Sequence, residues 1–311
     1  MAFRYINPGY TELLDSDCVT TAITGTEYSK TGVAFTQTNS SAGVTITDFA
    51  EGDDFWARFD VYLPNEYHLI RLLFPCIASA GVSLSFSGRN TTTFSLSCSF
   101  TGSWASMVSY PSWADYGIQF EAINTFSVHG VYGSPGLIEI FIGDKTHSKT
   151  GNLVFSTNYT PTAKLYASSS DKVYFSNIIF SNTKISPKEQ VIALPTSETV
   201  TDMTAGESGI YIADTVNQTL LQTVDVSTLI ENYGASSAVT GIAVVGNPAY
   251  KTATGLASLI GIEKSGGASI VEHGTCDLSD DTEAGISTSW STDNLTIADL
   301  QNMQFGWKAG E

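Results

Sequence analysis

In Gly81–Gly88 (GVSLSFSG) and Thr91–Phe100 (TTTFSLSCSF) an apolar residue and a Ser, Thr or Cys take strict turns. Val82, Leu84 and Phe86 fall on one side of the first segment, with Ser83, Ser85 and Ser87 on the other. Phe94, Leu96 and Phe100 repeat the pattern, and Cys98, a small residue of the kind found buried, completes it. Side chains alternate faces along a strand, so this period of two predicts an antiparallel sheet with one face in a core and one wetted by hydroxyls. An uncharged hydroxyl face suits self-packing or a neutral polar ligand, and is poorly equipped for acid–base chemistry.

The rest of the first half predicts more short strands: Val33–Thr38, Gly43–Thr47, Phe55–Leu63, Tyr67–Phe74, Gln119–Val131, Leu137–Gly143, Lys164–Ala167 and Lys172–Ser181. Turn signals such as Asn7-Pro8-Gly9 and Ser134-Pro135-Gly136 divide them, and no helical period lasts beyond two turns. The expected fold is all-β, with two antiparallel β-sandwich domains: a jelly roll over 1–185, then a smaller sandwich over 200–311. A linker over 186–199 carries Pro187 and Pro195, which interrupt regular pairing. In the second unit the candidates are Gly209–Ala213, Thr219–Val226, Val239–Gly246, Ala257–Lys264, Ala268–His273, Ile286–Ser291 and Gln304–Lys308. A short helix is expected near Val226–Tyr233, and a turn over Thr296–Asn302 in which the Thr296 hydroxyl caps a free amide.

Charge separates the halves. The 311 residues carry 14 Lys+Arg against 31 Asp+Glu, a net of −17, which argues against nucleic acid or anionic lipid as a main partner. Residues 1–190 hold 16 acids and 11 bases; residues 191–311 hold 15 acids and only Lys251, Lys264 and Lys308. No apolar run approaches the roughly 20 residues needed to span a bilayer, so membrane insertion is not expected. The first residues lack the apolar core of a secretory signal, so an extracellular destination implies lysis, a dedicated machine or a particle.

Catalytic signals are weak. A glycanase on such a scaffold needs two carboxylates flanking the scissile bond. The strands offer only Glu139 alone and Asp60 beside Arg58. Trp56, Arg58 and Tyr62 share a strand face, read as outer sheet surface, and His68 and His129 are read as partly buried side chains. Two acidic clusters, Asp48/Glu51/Asp53/Asp54 and Asp277/Asp280/Asp281/Glu283, match no defined calcium loop and are read as solvated turns. Cys18, Cys76, Cys98 and Cys276 lack metal or redox spacing; they are expected as buried thiols, with a Cys76–Cys98 disulfide as the competing reading. No cofactor or metal is expected. Thr101–Gly117 (TGSWASMVSYPSWADYG) is the best ligand candidate, a long loop in which Trp104, Tyr110, Trp113 and Tyr116 can stack on sugar rings. The competing reading has these aromatics covering the sandwich end or a subunit contact.

Lys172–Ser181 (KVYFSNIIFS) resembles the closing strand of a concanavalin-A-like (laminin-G-like) jelly roll. Val239–Tyr250 (VTGIAVVGNPAY), Leu256–Lys264 (LASLIGIEK) and Leu295–Lys308 (LTIADLQNMQFGWK) resemble the C-terminal domain of tail-fibre and related virion proteins of bacteriophages and prophages. The likeness covers roughly the last 70 residues and offers no catalytic residues to carry over. It implies a non-enzymatic virion protein (tail fibre, receptor-binding appendage or head decoration), assembled as a homo-oligomer, of which the trimer is one form, with other virion proteins and its own copies as partners. Its lectin-like domain would touch a host-surface glycan. The alternatives are a carbohydrate-binding protein of a bacterial surface, hence extracellular, and a glycanase.

Overall fold

The computed structural model describes residues 4–7, 33–35, 44–46, 53–63, 67–74, 80–87, 93–108, 111–154, 163–168, 173–186, 189, 191–192, 194, 196–207, 210–251, 255–279 and 284–311. The chain divides into two compact units, Met1–Val191 and Ile192–Glu311.

The first unit stacks two antiparallel sheets. One runs Arg4–Asn7 (β1), Val173–Ser181 (β13), Phe55–Leu63 (β4), Ala122–Val131 (β9), Gly133–Ile142 (β10) and Lys145–Leu153 (β11), with Val33–Phe35 (β2) also pairing β13. The other runs Val44–Ile46 (β3), Ala163–Ser168 (β12), Tyr67–Leu73 (β5), Gly81–Ser87 (β6), Phe94–Ser99 (β7) and Trp104–Val108 (β8). Period-two apolar residues close the space between them. Phe55, Ala57, Phe59, Val61 and Leu63 of β4 meet Ile70, Leu72, Val82, Leu84 and Leu96 of the facing sheet, and all ten are fully buried. Each such aliphatic or aromatic side chain contributes about 1.5–3 kcal/mol by leaving water.

Three features depart from expectation. Thr101–Gly117 is only partly a loop, because Trp104–Val108 pairs with β7 as the edge strand β8, and a bridge joins Thr93 to Ser112. The polar strand β11 was not anticipated: KTHSKTGNL has almost no apolar residue, yet it closes the first sheet against β10. The structure also puts a strand, Thr196–Thr201 (β14), at the end of the stretch expected as a connection. Pro187 and Pro195 lie outside the described residues.

The second unit is a five-stranded antiparallel sheet in the order β14, Thr219–Val224 (β17), Met303–Gly310 (β22), Ser258–Ser265 (β19), Val271–Asp277 (β20). A long two-stranded ribbon, Ala238–Ala249 (β18) with Ala284–Thr296 (β21), and the helix Ser227–Tyr233 (α1) complete its core; a small ribbon pairs Thr204–Ala205 (β15) with Tyr211–Ile212 (β16). Two glycines let ribbon and sheet approach. A Cβ at Gly261 would lie 1.9 Å from Thr288 Cγ2, and one at Gly274 would lie 2.3 Å from Thr288 Oγ1. The Thr296 cap forms in a different sense. Thr296 donates both its amide (2.8 Å) and its hydroxyl (2.6 Å) to Asp299 Oδ2, which holds the Asp299 carboxyl below its ordinary range. Among the described residues no helix is long and apolar enough to cross a membrane.

Candidate binding face

The hydroxyl side of the second sheet is assembled by register. Ser83 pairs with Ser97 and Ser85 with Ser95, so the alternation read along each strand becomes serine rows across strands. One row runs Tyr166, Arg71, Ser83, Ser97, Ser106; the next runs Lys164, Leu73, Gly81, Ser99, Trp104. The guanidinium carbon of Arg71 lies 5.1 Å from the centre of the Trp104 ring. β5 and β8 are separated by β6 and β7, roughly 14 Å at ordinary strand spacing, so the two side chains meet only by lying across the serine floor. Serine is small enough to permit this, and Ser83 and Ser99 are buried beneath them. Such a cation–ring contact at the surface is worth about 0.5–1 kcal/mol.

Arg71 is further held by a long hydrogen bond, Nη1 donating to the Tyr166 hydroxyl at 3.4 Å, while its Nε is buried with no hydrogen-bond partner. This corrects the expectation of an uncharged face, since Arg71 and Lys164 both belong to it. None of the sheet's six strands contains Asp or Glu. Arg71 was invisible as a site residue because it sits in a mostly apolar strand, YHLIRLL, three strands from its ring partner.

The three described aromatic residues of Thr101–Gly117, Trp104, Trp113 and Tyr116, do not form one platform. Trp104 joins the serine face. Trp113 packs against the core and meets Phe120 edge-on at 5.7 Å. Tyr116 is buried, edge-on to Phe94 at 5.2 Å, and its hydroxyl shares a 2.6 Å hydrogen bond with His147 Nε2. Burial pushes the Tyr116 hydroxyl up, with Asp115 adding to it, and pushes His147 down, with Lys145 adding to that. Tyr110 lies outside the described residues. The turn Ala114–Tyr116, closed by the left-handed Gly117 (φ 66°), is what aims Tyr116 inward.

On the opposite face of the sandwich, chemistry-bearing residues are dense. His129 stacks on Trp56 (3.8 Å, 15°), with Glu139 Oε2 at 2.9 Å from Nδ1 and Asp54 Oδ2 at 3.3 Å from Nε2. Both carboxylates thus clasp one imidazole. Next to it Asp60 accepts from Thr125 Oγ1 (2.7 Å) and Asn177 Nδ2 (2.6 Å) and pairs with Arg58 Nη2 (3.5 Å). Asn177 reaches Asp60 from the β13 bulge, with φ 50°. Trp56, Arg58 and Tyr62 were read as outer surface, but Trp56 and Arg58 are buried and Tyr62 is half-buried; burial lowers the Arg58 pKa and the buried Asp60 opposes that shift. A cleft of about 240 Å³ adjoins this network, lined by Tyr116, Ile123, Thr125, Ser127 and Phe141.

Of the acidic clusters, Asp54 is engaged by His129, and Asp48, Glu51, Asp280, Asp281 and Glu283 lie outside the described residues. Among the described residues no three His, Cys, Asp or Glu converge as metal ligands. Cys98 and Cys276 are free thiols whose pKa is raised by burial, and Cys18 and Cys76 lie outside the described residues. His68 has no described side chain. In the second unit an analogous stack joins His273 to Trp290 (3.9 Å, 4°), whose indole Nε1 donates to Glu263 at 3.0 Å. Burial lowers the His273 pKa, against the pull of Glu263.

No protein-family model matches this chain, and no curated protein matches it. Among solved structures it is similar to the receptor-binding domain of botulinum neurotoxin type G (13% identity, 60% of this chain and 44% of that chain, TM-score 0.35). It is also similar to the CBM2 module of the evolved Dit of Lactobacillus casei BL23 phage J-1 (11% identity, 58% and 91%, TM-score 0.32). A third is the binding domain of botulinum neurotoxin DC in complex with rat synaptotagmin II (8% identity, 100% and 94%, TM-score 0.36). The chain spans less than half the length of the type G domain. All three neighbours are β-rich, and at these scores none assigns a function to this chain.

Proposed function

We propose that this chain is a non-enzymatic bacteriophage virion protein, from a tail fibre, a receptor-binding appendage or a head decoration. Its N-terminal sandwich contacts a surface glycan, and its acidic second unit serves assembly into a homo-oligomer. The observation that carries the contact role is the Arg71–Trp104 pair lying over the serine rows. An aromatic face, a planar cation and a floor of hydroxyls are what a pyranose ring needs for stacking and hydrogen bonding. The virion assignment is supported by the resemblance of the last 70 or so residues to tail-fibre proteins.

A non-enzymatic role is supported by the way the acids of the opposite face are used. Asp54 and Glu139 flank an imidazole, and Asp60 is saturated by Arg58, Thr125 and Asn177. A glycosidase needs its two carboxylates on either side of a sugar bond.

A glycan array probed with the full chain and with Trp104→Ala tests the contact role; binding that survives the substitution unchanged removes this face from consideration. Immuno-electron microscopy of the parent particle tests the rest, and absence of the chain from purified particles rules out the virion assignment.

A further inference from the structure

Resting on the glycan-contact reading, we infer that the serine face takes an acidic glycan, one whose sugar carries a uronate carboxylate. The charge pattern is local and unusual for this chain. Against 31 acids in the sequence, the six strands of this sheet contain none, and Arg71 and Lys164 stand on its outer side in adjacent rows. Lys164 shares its row with Trp104 but stands four strands away, at the far side of Leu73 and Gly81.

The Arg71 guanidinium lies over the Trp104 ring, its central carbon 5.1 Å from the ring centre. Of its nitrogens only Nη1 has a hydrogen bond, a long one to Tyr166; Nε is buried, so the N–H groups of Nη1 and Nη2 are those left to a ligand. A planar fork with unused N–H groups matches a carboxylate by two parallel hydrogen bonds, which a neutral sugar hydroxyl cannot provide. No carboxylate on the strands of this sheet competes for it, in contrast to Arg58, which Asp60 holds. The acids elsewhere do not prevent binding, because charges beyond about 10 Å are largely screened at 0.1 M salt.

The test is calorimetric titration of the full chain with oligogalacturonate, its methyl ester, neutral oligosaccharides of equal length and poly(glycerol phosphate). Expected are at least tenfold weaker binding of the ester than of the acid, and loss of that preference in Arg71→Gln, in which the acid loses far more affinity than the ester. Lys164→Gln should weaken the acid about threefold, and raised salt should weaken the acid alone. Trp104→Ala should weaken acid and ester alike. Thermal melts check folding, and Arg71→Lys, which keeps the charge but not the fork, should fall between wild type and Arg71→Gln.

Equal binding of acid and ester, or of neutral oligosaccharides in place of the acid, overturns the acidic assignment and leaves the glycan-contact reading standing. Tighter binding of the phosphate polymer overturns the carboxylate assignment. If no saccharide binds, the glycan-contact reading itself fails and takes this inference with it.

Discussion

One outer face of the N-terminal sandwich carries Trp56, Arg58, Asp60, His129 and Glu139; the other carries serine rows crossed by Arg71 and Trp104. By residue type the first looks more like a site. It has acids, a base, an imidazole and an indole within adjacent rows. Yet its acids and imidazole are spent on their neighbours: Asp60 accepts from Thr125 and Asn177 and pairs with Arg58, and His129 is held at both nitrogens, while Arg58 keeps Nε and Nη1 buried without a hydrogen-bond partner. The serine face has fewer functional groups, and its strands carry cations with no Asp or Glu beside them. What separates the faces is whether a cation's counter-charge is already supplied by a neighbouring strand: Arg58 has Asp60, and no strand of the sheet that carries Arg71 offers a carboxylate.

That contrast sets the expected effects of substitution. Asp60→Ala should be the most damaging, costing about 3–5 kcal/mol in chemical denaturation, because it leaves Arg58 buried without its counter-charge. His129→Phe keeps the ring stack on Trp56 but removes both carboxylate contacts, and should cost about 1–3 kcal/mol. Trp104→Ala should change stability by less than about 1 kcal/mol while weakening glycan binding; a loss of stability comparable to Asp60→Ala would mean that the serine face is also structural.

The sheet edge supplies a pH test. His147 is held below its ordinary pKa by burial, so its contribution to stability is complete above the unfolded value of about 6.5. It is lost as pH falls through that value toward the lower folded one, because the unfolded chain takes up the proton first. Melting temperature should therefore drop on acidification across this window, and His147→Gln should flatten the drop. Smallest of all, Ser97→Ala should stay within about 0.5 kcal/mol of wild type in the same denaturation experiment.

Much of the sandwich is legible from alternation alone. Phe55–Leu63 and the two hydroxyl-rich segments announce their buried sides, because a strand exposes every second residue to the same environment. β11 was not legible for the same reason: its sequence is polar on both sides, and only its position at a sheet edge makes it a strand. β8 hides behind WASMV, whose small residues blur the period. The His129 clasp joins residues 10 and 75 positions apart in the chain, so no local pattern reports it.

The amino-acid sequence by itself determined that this protein is β-layered, that one sheet has a hydroxyl side, and that the second unit is the more acidic. These follow from which residues neighbour each other along the chain. Tertiary structure decided that Arg71 lies over Trp104, that Trp113 and Tyr116 pack inward, and that His129 finds two carboxylates. Those outcomes depend on strand order and register, which bring distant residues within the few ångströms over which rings, charges and hydrogen bonds act.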